Sequence, residues 1–302
     1  MSRWRKLGRI YEPQALHPKL ATHAANPLAL PLGGDLFRVY FSGRDDKNRS
    51  SVGYVEMDIR QREVVYVHDR PVFEHGPPDS FFSHGVSIGN CYRTRTGLYM
   101  LFMGWHFPED GHWRGEIGRL IVADDAGLAL DPARPLLAIS DQDPVSLSYP
   151  WVIGDGQDFR MWYGSTLAWD AGKGEMLHVI NRATSADGNT WQRHGLALPF
   201  TVGAAQAFSH PTVLGNQADE FEMWFSYRGA PGRTYRIGYA RSHDGNTWTS
   251  HMDEVGIVVS DAGWDSEMIC YPCVFEHAGA RYMLYNGNGY GRTGFGLAIC
   301  EA

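Results

Sequence analysis

"SADGNTW", residues 185–191, returns as "SHDGNTW", residues 242–248, with one residue changed in seven and an offset of 57 positions. A heptapeptide repeated within 302 residues points to a longer repeat around it. The segments "FRVYFSG", "LYMLFMG", "FRMWYGS", "FEMWFSY" and "RYMLYNG" each carry an aromatic anchor: Phe41, Phe102, Tyr163, Phe225 and Tyr285, spaced by 61, 61, 62 and 60 residues. Upstream of each anchor stands an apolar segment: "NPLALPL", "GVSIGN", "YPWVIG", "HPTVLG" and "YPCVFE". Downstream comes a third: "VGYVEMD", "IGRLIVAD", "LHVINRATS", "IGYARS" and "FGLAIC".

These pieces are short, rich in Tyr, Trp, Val, Ile and Met, and bounded by Gly, Asp and Asn, which is strand chemistry. No stretch sustains a helical period with caps. The spacing therefore predicts an all-β chain of four-stranded antiparallel units repeated five times, a five-bladed β-propeller in one domain over 1–302. The blades fall at about 20–70, 80–138, 146–198, 206–258 and 266–302. The last lacks a fourth strand, and Trp4 to Tyr11 is expected to supply it and close the ring. The heptapeptides become turns between third and fourth strands, with Trp191 and Trp248 packing between blades. They resemble the structural Asp-box of sialidases, one residue shorter, which gives Asp187 and Asp244 a turn-making role.

A formal charge of −7 and a pI near 6.0 argue against nucleic acid or an anionic membrane as the main partner. The start "MSRWRKLGRI" has no apolar run behind its charges, so the expectation is a cytoplasmic protein with no membrane partner. Four cysteines make no disulfide scaffold, and in a straight strand the two of "CYPC" (270–273) point to opposite faces about 10 Å apart. They read as small buried residues.

Propeller connectivity brings the starts of inner strands and the ends of second strands to one mouth. The inner strands contribute His23 and Asn26, His84, Tyr149, His210, and Glu267 with Tyr271. The second strands contribute Arg44 and Asp45, Trp105 and His106, Trp169, Arg228, and Asn286 with Asn288. The opposite face receives turns such as "LGGD", "GDGQD" and "GNQAD". Aromatic faces beside amides and guanidinium groups suit a sugar, which offers C–H patches for stacking and hydroxyls for paired hydrogen bonds. Three inner-strand histidines, His23, His84 and His210, offer proton transfer or a metal site, but no local ligand spacing supports a metal, and no metal or cofactor is expected.

The repeat, the "HPTVL" and "YPCVF" inner strands and "MWFSYRG" resemble the five-bladed glycoside hydrolase superfamily of invertases, levansucrases, arabinanases and mannoside phosphorylases, across the whole chain. "RVYFSGRDDKNRSSVGYVE" and the stretch from "GWDSEMICYPCVF" to "GRTGFGLA" are similar to a branch associated with bacterial surface-polysaccharide clusters. The resemblance implies carboxylates at inner-strand starts of blades one, three and four, where this chain has Asn26 or His23, Ser148, and Ser209 or His210. Cleavage by two carboxylates needs them about 5 to 9.5 Å apart across the bond. The candidates at the mouth are Glu267 and Asp45, with Asp46, Asp170 and Asp265 behind them. Glu267 is expected to point into the channel and do acid or base work, or else to pair with Arg44 or Arg228; Asp45 is catalytic or caps its own loop. The first expectation is a hydrolase or phosphorylase acting on a glycan or its precursor, with saccharide and phosphate as ligands. The alternatives are a non-catalytic carbohydrate-binding propeller and a glycan-transferring enzyme of surface-polysaccharide biosynthesis.

Overall fold

The computed structural model describes residues 3–301 apart from 110, 173, 216–219, 230 and 231, so most of the "GNQAD" turn lies outside the described residues. Its regular elements are strands and two short 3-10 turns, Pro18–Leu20 and Met252–Glu254. Among the described residues no helix is long and apolar enough to cross a membrane.

Strand pairing follows the repeat. The first unit is β2 (Thr22–Gly33), β3 (Leu36–Arg44), β4 (Ser50–Asp58) and β5 (Glu63–Val67). The second is β6 (Gly85–Thr94), β7 (Gly97–His106), β8 (Arg114–Val122) and β9 (Leu128–Leu130). The third is β10 (Ser146–Asp155), β11 (Asp158–Ala168), β12 (Leu177–Ser185) and β13 (Gln192–Leu196). The fourth is β14 (Ala207–Gly215), β15 (Phe221–Arg228), β16 (Arg236–Ser242) and β17 (Thr249–Ser250). In the fifth, β18 (Cys270–His277), β19 (Ala280–Asn286) and β20 (Phe295–Glu301) are joined by β1 (Arg3–Tyr11), which runs antiparallel beside β20 from Arg3 opposite Glu301 to Tyr11 opposite Phe295.

The first strands of the units touch in turn: β2 packs against β6 and β18, β6 against β10, β10 against β14, and β14 against β18. All five aromatic anchors sit on second strands and are buried, so the period of the sequence is a period of core positions. The first half of β1 is held by two side chains. Trp4 meets Trp224 edge-on with ring centres 6.1 Å apart, and Lys6 reaches the buried Asp265 at 2.7 Å.

Each first strand breaks register near its middle: between Ala25 and Leu28, Ile88 and Cys91, Ser148 and Trp151, Ser209 and Thr212, and Cys270 and Cys273. In four units the break falls on an X-Pro pair, at Pro27, Pro150, Pro211 and Pro272. Proline has no N–H to give to a ladder, and a bulge absorbs that loss. The residue before it takes a left-handed backbone: Asn26 at φ 54, Tyr149 at 36, His210 at 51 and Tyr271 at 53. The second unit has Gly89 there, where a Cβ would collide with the Pro150 carbonyl of β10. The bulges correct the picture of straight inner strands, and Cys270 and Cys273 are both buried as free thiols.

The heptapeptides lie where expected, between β12 and β13 and between β16 and β17. The carboxylate of Asp187 accepts from the amides of Asn189 and Thr190, each at 2.8 Å, and from the Ser185 hydroxyl. Asp244 repeats this with Asn246, Thr247 and Ser242. These bonds hold both carboxyls below the usual range, Asp244 at about 2. Trp248 is buried edge-on to Trp162, and the Gly188 carbonyl accepts from Tyr92 of the preceding unit at 2.8 Å, so each turn staples onto a neighbour.

Candidate functional site

A cavity of about 320 Å³ opens where first strands begin and second strands end. Its wall combines Trp105, Phe107, Trp113, Tyr149, Tyr235, Tyr271 and Tyr290 with Arg44, Arg228, Asn48, Ser87, Ser209, His178, Met103 and Met176. The bulges bring two of these rings together: Tyr149 and Tyr271 have centres 5.4 Å apart, with their hydroxyls at 3.4 Å. His210 lies beside both, 5.5 Å and 5.6 Å away.

Of the residues read from the sequence, Arg44, Trp105, Tyr149, Ser209, Arg228 and Tyr271 line the cavity. The others do not. His23 is buried against the Thr22 hydroxyl at 2.9 Å. Asn286 is a staple: its amide donates to the carbonyls of Ala24 and Gly294 and accepts from the Asn26 amide. Asn288 accepts from the amides of Glu267 and Met268, fixing the loop before β18. His84 stands behind Trp105 and Phe107, and His106 lines a neighbouring groove. Trp169 is one layer back, stacked on His112 at 4.7 Å and edge-on to Trp113 at 4.9 Å.

Both carboxylates expected to act on substrate are displaced. Strand β18 begins at Cys270, so Glu267 belongs to a preceding loop and is exposed, with no part in the cavity wall. Its backbone is engaged by Asn288, Thr234 and Arg236, while the buried acid of that loop is Asp265, held by Lys6 and by the Tyr285 hydroxyl. Asp45 is buried but faces its own turn, accepting from the amides of Lys47 and Arg49 and pairing with the Arg49 guanidinium at 2.8 Å. Although burial opposes it, Arg49 and Lys47 keep the Asp45 carboxyl below the usual range, which disfavours a proton donor.

Burial shifts three of the inner-strand histidines toward the neutral form. Burial pulls His210 down to about 4, and neither of its ring nitrogens makes an aligned hydrogen bond. Burial, then Arg44 and Arg292, bring His23 to about 4. Burial lowers His84 too, with His106, Arg49 and His75 adding to it.

The sequence reading missed His178 and Glu175. His178, near the start of β12, is buried between the hydroxyls of Ser148 and Thr166, each 2.6 Å from a ring nitrogen, and burial plus Arg228 hold it at about 3. The buried Glu175 has an oxygen 3.1 Å from the Arg228 Nε, within ion-pair distance though off the hydrogen-bond axis. Arg228 also donates to the Tyr290 hydroxyl at 3.1 Å and lies over the Tyr235 ring. His178 and Glu175 both stand at starts of third-strand segments, away from the inner- and second-strand ends. Tyr235 and Trp113 share this position.

No family model matches the chain. It is 42% identical over 299 residues, 99% of each chain, to the uncharacterised proteins Rv1502 and MT1551 of Mycobacterium tuberculosis. Among solved structures, it is similar to a glycoside hydrolase at TM-score 0.73 and 16% identity, covering 97% of this chain and 90% of that one. An α-L-arabinofuranosidase of Podospora anserina in complex with cellotriose superposes at TM-score 0.72 and 10% identity over 100% and 97% of the two chains. An endo-arabinase of Bacteroides thetaiotaomicron does so at 0.63 and 11% over 94% and 95%. These likenesses are of the arabinanase- and invertase-type propeller fold.

Proposed function

The chain belongs to the family of the two uncharacterised Mycobacterium tuberculosis proteins, and from that premise and its glycoside hydrolase-like fold we propose that it is a carbohydrate-active protein binding a saccharide in the 320 Å³ cavity. The scaffold of this reading is a single five-bladed ring closed by β1, supported by the pairing of β1 with β20 and by the cyclic contacts of the first strands.

One observation carries the assignment: seven aromatic side chains line the cavity together with two guanidinium groups. Such a wall supplies ring faces for the C–H side of a pyranose and fixed donors for its hydroxyls. Saccharide addition should quench Trp fluorescence. Trp105→Ala and Trp113→Ala should each weaken binding by about 1 to 3 kcal/mol, the scale of one buried aromatic contact. A pair of variants binding saccharide as the parent does would refute the assignment.

A second reading, cleavage or transfer of a glycosidic bond, is favoured by Glu175. It is a buried carboxylate in ion-pair contact with the cavity-lining Arg228. Glu175→Gln keeps shape and loses ionisation. Turnover falling on the order of a hundredfold with affinity kept supports this second reading, and loss of affinity alone returns Glu175 to holding Arg228.

A further inference from the structure

The charge of the cavity narrows the ligand, on the reading just proposed. In a chain of formal net charge −7, the wall carries Arg44 and Arg228 and, among the described residues, no carboxylate. The two arginines differ in kind. Arg228 is matched by the buried Glu175. Arg44 donates to Asn48 Oδ1 at 2.7 Å, a neutral partner that also lines the cavity, and no carboxylate among the described residues stands within ion-pair distance of it. The loop explains why. Asp45, next in sequence, is turned back onto the amides of Lys47 and Arg49 and onto the Arg49 guanidinium, so it builds the turn that presents Arg44 and Asn48 without neutralising Arg44.

Covering an unmatched guanidinium with a neutral sugar strips its water and leaves its charge uncompensated. An oxyanion returns charge-assisted, two-pronged bonds in a fork that arginine is shaped to give. We propose that the cavity takes an anionic saccharide, with the carboxylate of a uronate or the phosphate of a phosphorylated sugar seated on Arg44. The adjoining groove shares Phe107 with the cavity and carries Asp79, Glu109 and Glu116 beside Arg114. Its acidic wall repels a second anionic group, so the charged residue of the ligand lies inward and a neutral neighbour continues past Phe107.

The test is an array of matched neutral, uronate-bearing and phosphorylated oligosaccharides, followed by titration calorimetry of the best binder of each class. Wild-type protein, Arg44→Gln and Arg44→Lys are compared, each checked for an unchanged melting temperature. The expected result is a preference for one anionic class, a loss of about tenfold or more in Arg44→Gln, and partial retention in Arg44→Lys. The class bound separates uronate from phosphate. Neutral glycans binding as tightly as charged ones, or Arg44→Gln binding the anionic class unchanged, overturns the inference while leaving the saccharide reading in place. Absence of binding in all three classes overturns both.

Discussion

Three buried histidines give the molecule a pH signature. His178 is held at about 3, and His23 and His210 at about 4, all below the ordinary 6.5. Below about 6.5 the unfolded chain takes a proton on each while the folded chain does not, so stability present above that value is lost as pH falls toward 4. Close to three protons separate the two states near pH 5, a slope of up to about 4 kcal/mol per pH unit. Denaturant melts between pH 7 and 4 should show it, and His178→Gln should remove about a third of the slope. Stability level from pH 6.5 to 5 would contradict burial of all three rings in neutral form. At this scale the sequence was half legible. Arg44, Trp105, Tyr149, Arg228 and Tyr271 follow from strand ends alone. Of the two readings open for Asp45, its hydrogen bonds make the loop cap. Glu267 does not follow, because a carboxylate's direction is set by hydrogen bonds within its loop, which strand spacing does not reveal.

The repeated heptapeptides are turns with one construction, an Asp collecting two amides and a hydroxyl. Asp187→Ala and Asp244→Ala should each cost about 0.5 to 1.5 kcal/mol, the net worth of hydrogen bonds made at an exposed turn, with saccharide affinity unchanged. A shift of affinity without a shift of melting temperature would place these turns in the binding machinery. The turns were legible because their chemistry is local. The bulges were written just as plainly, as proline inside four apolar segments, yet reading those segments as straight strands hid them. Their effect is to turn Tyr149, His210 and Tyr271 inward as one cluster, which no alternation of period two predicts.

For the whole molecule, the joining of β1 to β20 is the decisive pairing. Removing residues 1–11 takes away the Trp4–Trp224 contact, the Lys6–Asp265 pair and one strand of the fifth unit. The shortened chain should melt broadly and at lower temperature by circular dichroism and calorimetry, and Trp4→Ala alone should cost about 3 to 5 kcal/mol. A truncated protein melting as sharply as the parent would contradict the proposed closure of the ring. Period and composition made this pairing legible, since a strand without a unit and a unit lacking a strand stood at opposite ends of the repeat. The same pairing sets a timetable for biosynthesis. Arg5 and Glu301 are 296 residues apart, which a ribosome moving at about 5 to 20 residues per second covers in roughly 15 to 60 s. Through that interval β1 is a nascent strand waiting for its mate, and once β20 emerges its bare edge can recruit β1 of the same polypeptide or of a neighbour on the same polysome. Yield in the cell should therefore depend on translation rate and chaperone supply more steeply than equilibrium stability would suggest.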